Sequence, residues 1–212
     1  MPYNQSDSIV SKEIVDELAT RDHQLAVVIG RVGSCRLERG VQGYPALVHS
    51  VIGQQLSSSS ARAIRTRLAA QLNNDDIRPD AILKARIDGL REAGMSRIKA
   101  QCVCSLAEHV LSGEIDFSKL EAMEDEDIVK LLTRVKGIGR WTAEMFLMFS
   151  LGRLDILPLG DQSIRSSIMS IYGLTSEGFR SQAKLIGEKW RPYRTVASWY
   201  LYRYLDLDVF DK

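Results

Sequence analysis

Cysteine and histidine are scarce in this chain: Cys35, Cys102 and Cys104 are its thiols, and His23, His49 and His109 its imidazoles. The pair Cys102-x-Cys104 is too tight for the usual zinc spacing and has no second pair to join, so a zinc or iron–sulfur centre is not expected. An odd number of cysteines without secretory features points to reduced thiols and a cytoplasmic protein. A surplus of one charge is missing too. Lys and Arg number 28 against 27 Asp and Glu, a net +1 at pH 7, so composition alone announces no nucleic-acid partner. Any such reading has to rest on where the basic residues stand. No run approaches the roughly 18 apolar residues of a membrane span. The opening Met-Pro-Tyr-Asn-Gln-Ser-Asp-Ser has no apolar signal core. Tandem repeats, low-complexity tracts and strand-like alternation are likewise lacking.

What is present is a 45% hydrophobic chain of 212 residues, enough for one folded unit or two small lobes sharing a cleft. Its apolar spacing is helical. Tyr44, Leu47, Val48, Val51 and Ile52 mark one face of a helix that Pro45 can start and Gly53 can end. The run Ser57–Ser60 offers caps for a next helix, with Ala61, Ile64, Leu68 and Leu72 on one side and Arg62, Arg65 and Arg67 on the other. Asn73-Asn-Asp-Asp76 breaks that pattern and Pro79 restarts it. Further helices are expected around Ile98, Cys102, Leu106 and Val110, around Ile164, Ile168 and Ile171, and over Val196, Trp199, Tyr200, Arg203 and Tyr204, the last with an aromatic face. The run Leu25–Ile29 suits a strand or a buried helix. The fold class expected is all-α with short connections, two helical lobes around a cleft.

Two segments carry chemistry. In the first, Ile128, Leu131, Leu132 and Val135 precede, and Trp141, Met145, Met148 and Phe149 follow, the turn Lys136-Gly-Ile-Gly139. That is a helix–hairpin–helix over about residues 124–151. Gly137 and Gly139 permit positive φ and close approach by another backbone. The exposed N–H groups at the start of the second helix form an anion site, flanked by Lys136 and Arg140. A DNA phosphate suits it, and so does the reading as a plain αα-hairpin with a glycine turn. In the second segment, Leu154–Arg165, Pro158 and Gly160 break the chain and a helix starts near Asp161. Taken alone, Asp161 reads as an N-cap.

Taken together, Val135-Lys-Gly-Ile-Gly-Arg-Trp-Thr-Ala143 and an aspartate about 20 residues on resemble the helix–hairpin–helix DNA glycosylase superfamily (the HhH-GPD fold). Val135 replaces the leucine of that family's pattern. Ile52-Gly-Gln-Gln-Leu-Ser57 resembles the family's segment at the DNA minor groove, and Trp190–Tyr200 its C-terminal helix. The combination is most similar to the AlkA-type 3-methyladenine DNA glycosylase II branch, without the extra N-terminal α/β domain of the longer members. The whole of 1–212 is then a single glycosylase unit.

The resemblance implies a DNA glycosylase acting on double-stranded DNA with damaged bases. It would flip out 3-methyladenine or 7-methylguanine types and hydrolyse the N-glycosidic bond, leaving an abasic site for base-excision repair. Asp161 would be the catalytic carboxylate. Trp141, Tyr202, Met145 and Gln162 would line the base pocket, Met145 and Gln162 standing where AlkA has tyrosines. DNA would be held by Lys136, Gly137, Ile138, Gly139, Arg140 and Thr142, and by Gln54, Gln55 and Ser57, with Gln55 at the family's wedge position. Backbone carbonyls of Thr133, Val135 and Ile138 would hold a Na⁺ or K⁺ ion; no other cofactor is expected. Bifunctional relatives carry a lysine where this chain has Trp141, so no lyase activity is expected. A monomer is expected, nucleoid-associated when bound to DNA if the source is prokaryotic. Trp199 and Tyr200 read better as core. Two other classes remain: a non-enzymatic lesion binder, which would lack the carboxylate, and a hairpin module of a nuclease or polymerase, which would not need the second segment.

Overall fold

The computed structural model describes residues 8–72 and 77–210. The chain break expected at Asn73–Asp76 lies outside the described residues. Among those described there are twelve helices and no strand. The Leu25–Ile29 run falls inside a helix, His23–Val32, with Leu25 and Val28 turned to the core. None of the helices is long and apolar enough to cross a membrane.

The chain divides into two compact units, and the first is discontinuous. Unit 1 takes Met1–Arg39 and Gly152–Lys212; unit 2 is the intervening Gly40–Leu151. Unit 1 contains α1 (Lys12–Arg21), α2 (His23–Val32), α10 (Gln162–Tyr172), α11 (Phe179–Glu188) and α12 (Arg194–Phe210). Its core joins Leu18, Leu25, Val28, Ile164, Ile168, Trp190, Val196, Tyr200 and Leu201. Each such side chain contributes roughly 1.5–3 kcal/mol through burial. Trp199 and Tyr200 are buried, as their helical register implies. Asp22 is one of the polar groups built into this core. Asp22 caps α2, its Oδ1 accepting from the N–H groups of Gln24 at 3.1 Å and Leu25 at 3.2 Å. Its Oδ2 accepts from the Tyr172 hydroxyl at 2.9 Å and the Trp190 indole N–H at 3.1 Å. Four donors satisfy a carboxylate that burial would otherwise penalise.

Unit 2 contains α3 (Gly43–Gly53), α4 (Ser58–Gln71), α5 (Pro79–Glu92), α6 (Arg97–Leu111), α7 (Phe117–Leu120), α8 (Asp125–Leu132) and α9 (Arg140–Phe149). The expected start and end of α3 hold, and Ser57 caps α4 by accepting from Ser60 N–H at 3.2 Å. Leu47, Val51, Ile52, Leu68, Leu90, Val103, Leu106, Leu132, Phe146 and Leu147 fill the core. An edge-to-face series, Tyr44 to Phe117 at 6.4 Å and Phe117 to Phe146 at 5.9 Å, runs through it. Ile98 departs from its expected stripe. It is 75% exposed: it stands in the first turn of α6, whose buried residues are Ala100, Cys102, Val103, Leu106 and Ala107. The two ends of unit 2 are tied by Gly40 N–H donating to Phe149 O at 2.7 Å.

Candidate active site

In unit 2 the hairpin is α8, a turn over 133–139, and α9. The turn is pinned by Val135 N–H to Leu132 O at 3.2 Å and Ile138 N–H to Val135 O at 3.0 Å. Gly137 takes φ +99°, and its open side lies on α6: a Cβ there would stand 2.9 Å from Cys102 Sγ and Cβ. Gly137 is thus required twice, for its dihedral and for contact with Cys102. Gly139 differs from the expectation. Its φ of −93° and ψ of 173° are extended, a shape any residue adopts, and it serves as the N-cap of α9. No atom lies near the position of a Cβ on Gly139, so this face of the turn is open to an approaching group. No side chain caps α9, which leaves its first N–H groups for an anion.

The charges around that turn are unequal. Lys136 is exposed and makes no ion pair among the described residues. Arg140 is half-exposed and lies in a bidentate pair with Glu126, with Glu144 at 3.8 Å behind it. The guanidinium holds the Glu126 carboxyl below the usual carboxylate range and is itself stabilised as a cation.

The Ile52–Ser57 segment reaches the hairpin through one side chain. Gln54 donates from Nε2 to Gly137 O at 3.2 Å and to Thr142 Oγ1 at 3.0 Å. Thr142 is buried, so its hydroxyl faces Gln54 within the unit. Next to it Gln55 is exposed and left-handed, at φ +55°. Exposed Leu56 follows. Lys99 of α6, unforeseen in the sequence, fixes this corner by donating to Ile52 O at 2.7 Å and Gln54 O at 2.6 Å. These are the free carbonyls at the end of α3, where a cation is favoured. Burial pulls the Lys99 ammonium below its ordinary range. On α9, Trp141 and Met145 share one half-buried face, four residues apart. Met145 also lines a cavity of about 170 Å³ with Ala46, His49, Phe146 and Phe149.

Asp161 belongs to unit 1, as do Gln162 and Tyr202. The aspartate caps α10, its Oδ1 accepting from Ser163 N–H at 2.8 Å and Ile164 N–H at 3.1 Å. It is 8% exposed. Its Oδ2 accepts from the Tyr202 hydroxyl at 3.0 Å. Gln162 is exposed and donates to Ser166 Oγ at 3.3 Å. The loop leading to Asp161 is stitched to the start of α12. Thr195 donates from Oγ1 to Arg153 O at 2.6 Å, accepts from Ile156 N–H at 3.0 Å, and donates its own N–H to Leu154 O at 2.8 Å. Arg194 grips Asp155 through Nε at 2.6 Å, and Arg191 adds 2.7 Å to the same carboxylate. The Trp190–Tyr200 segment therefore acts as a clamp on the aspartate's loop. Among the described residues no group of His, Cys, Asp and Glu side chains could hold a metal ion.

A sequence profile for the HhH-GPD superfamily base excision DNA repair protein family matches residues 48–192. The DNA-3-methyladenine glycosylase 1 of Schizosaccharomyces pombe is 33% identical over 201 residues, covering 92% of this chain and 87% of its own. Solved structures share the fold. The 3-methyladenine DNA glycosylase Mag1 of S. pombe, in complex with abasic DNA, superposes with a TM-score of 0.83 at 32% identity, covering 91% of this chain and 96% of that one. A DNA-3-methyladenine glycosidase from Bacillus halodurans gives 0.79 at 36% identity, covering 92% and 90%. The match spans the hairpin, the Asp161 loop and the first residues of the Trp190 segment, and with it the chain belongs to the HhH-GPD superfamily of base excision DNA repair proteins.

Proposed function

We propose that this protein is a monofunctional DNA glycosylase that removes alkylated bases of the 3-methyladenine and 7-methylguanine type from double-stranded DNA, leaving an abasic site. The observation that carries this reading is Asp161, a buried carboxylate held in a fixed orientation at a helix N-terminus, in a chain of a base-excision repair family. The names of the relatives, 3-methyladenine glycosylases, support the substrate class.

The target atom lies inside the duplex, so the base is flipped out at a cost of a few kcal/mol, less for a damaged pair. The N–H groups opening α9, with Lys136, hold a phosphate beside the lesion without reading sequence. Gln54, Gln55 and Ser57 meet the minor groove, and Gln55 enters the gap left by the base. Trp141 offers an aromatic face on which a cationic purine is favoured by about 0.5–2 kcal/mol. The C1′–N bond then breaks, and its electron pair leaves with the base and cancels the base's positive charge, so no general acid is needed. Asp161 stabilises the oxocarbenium-like sugar, water adds at C1′, and the proton passes to the carboxylate or to solvent.

The carbonyls of Thr133, Val135 and Ile138 suit one monovalent cation. They are neutral oxygen donors on a tight turn, and the Val135 carbonyl, which accepts Ile138 N–H, has a second lone pair. Such an ion would add positive charge next to the phosphate site.

The test is base release by the purified protein from duplex oligonucleotides carrying each lesion, followed by alkali. Free base with an intact strand that alkali then cleaves is the expected result. Binding to lesions without release would make the protein a lesion binder, and cleavage before alkali would make it a lyase.

A further inference from the structure

We propose that Tyr202 is a positioning residue for the Asp161 carboxylate, its hydroxyl orienting the oxygen that the helix cap does not hold. The inference rests on the catalytic role given to Asp161 above. The cap fixes Oδ1 through two backbone N–H groups, 2.8 and 3.1 Å away. Rotation about the terminal bond of an aspartate is soft, so a cap alone leaves the second oxygen loosely aimed. The phenol of Tyr202 donates to that oxygen at 3.0 Å. Thr195, Ser198 and Tyr202 follow one another at three and four residues, one face of α12. Thr195 bonds the loop at Arg153 and Ile156, and Ser198 bonds Ile156 O at 3.4 Å. Tyr202 bonds the aspartate itself. A single helix face thus sets both the path of the loop and the aim of the carboxylate at its end.

Unit 1 contains its own reference case. Asp22 caps α2 in the same manner, and its Oδ2 accepts the Tyr172 hydroxyl at 2.9 Å. The same cap-plus-phenol pattern therefore occurs once in the interior and once on the proposed catalytic residue. Tyr202 is also not the main fastening of α12 to α10. Ser167 donates to Leu201 O at 2.8 Å, and Ser170 meets Tyr204 at 3.2 Å. Removing one hydroxyl leaves those links and the ring in place.

The experiment compares Tyr202→Phe, Tyr172→Phe and Asp161→Asn with the wild type by single-turnover release of 7-methylguanine, affinity for abasic-site DNA, and thermal midpoint. Tyr202→Phe is expected to slow release about tenfold, which corresponds to about 1.4 kcal/mol, with affinity within about twofold and the midpoint shifted by no more than about 2 °C. Tyr172→Phe is expected to lower the midpoint and leave the rate alone. A Tyr202→Phe rate equal to wild type, with Asp161→Asn inactive, overturns the positioning role and spares the function. So does an equal rate loss in both phenylalanine variants, because the effect is then one of stability. An active Asp161→Asn protein, or a wild type that releases nothing, overturns the catalytic reading and this inference with it.

Discussion

At the scale of single residues, Asp161 caps α10 and is the carboxylate of the proposed reaction. Asp161→Asn keeps an N-cap former, so the helix should survive while excision falls by about 10²–10³ or more. Single-turnover rates with unchanged affinity for abasic DNA check this. A variant keeping over about a tenth of the rate would remove the assignment. Trp141→Ala should cost about 1–3 kcal/mol in excision of cationic bases if its ring stacks as aromatic side chains do elsewhere. Neutral hypoxanthine should lose less, since the charge part is absent. Equal losses on 7-methylguanine and hypoxanthine would put Trp141 in the fold rather than against the base.

At the scale of elements, the hairpin's response to salt separates Lys136 from Arg140. Lys136→Ala should weaken binding to every duplex and reduce the salt slope by roughly one. Arg140 is already engaged by Glu126, so Glu126→Gln should release it and tighten binding to damaged and undamaged DNA alike. Fluorescence titrations across a salt series read both, and unchanged affinity in Glu126→Gln would show that the pair does not compete with DNA. Gly137→Ala meets both a φ of +99° and Cys102, so it should destabilise the hairpin by about 1–3 kcal/mol, visible as a lower thermal midpoint. The helices were legible because apolar spacing and caps are local: Tyr44 to Ile52 and Ser57 needed only their neighbours. The hairpin was legible from spacing, and Asp161 was legible as an N-cap, while its proposed catalytic role came from the resemblance alone. The bonds that aim them were not legible. Lys99 reaches Ile52 O across 47 positions and Tyr202 reaches Asp161 across 41, and no periodicity encodes such a pair. Ile98 shows the opposite failure, an apolar residue in good helical register that faces solvent.

At the scale of the molecule, the proposed reaction type turns on one position without an amine. The first turn of α9 carries Trp141, which cannot form a Schiff base. Borohydride should therefore trap no protein–DNA adduct, and an adduct with wild type would overturn the monofunctional reading and direct attention to Lys136. Unit 1 is built from the two ends of the chain, and α12 is its final helix. Chains leave the ribosome N-terminus first. Unit 2 is continuous and tied near its ends by the Gly40–Phe149 bond, and all of it is made before the second stretch of unit 1. Asp161 emerges before the clamp that holds its loop, and Tyr202 comes out later than Thr195 and Ser198. A chain ended before α12 would thus carry the hairpin of unit 2 but lack the Tyr202 bond to Asp161, so the excision proposed above would begin only once α12 has been made.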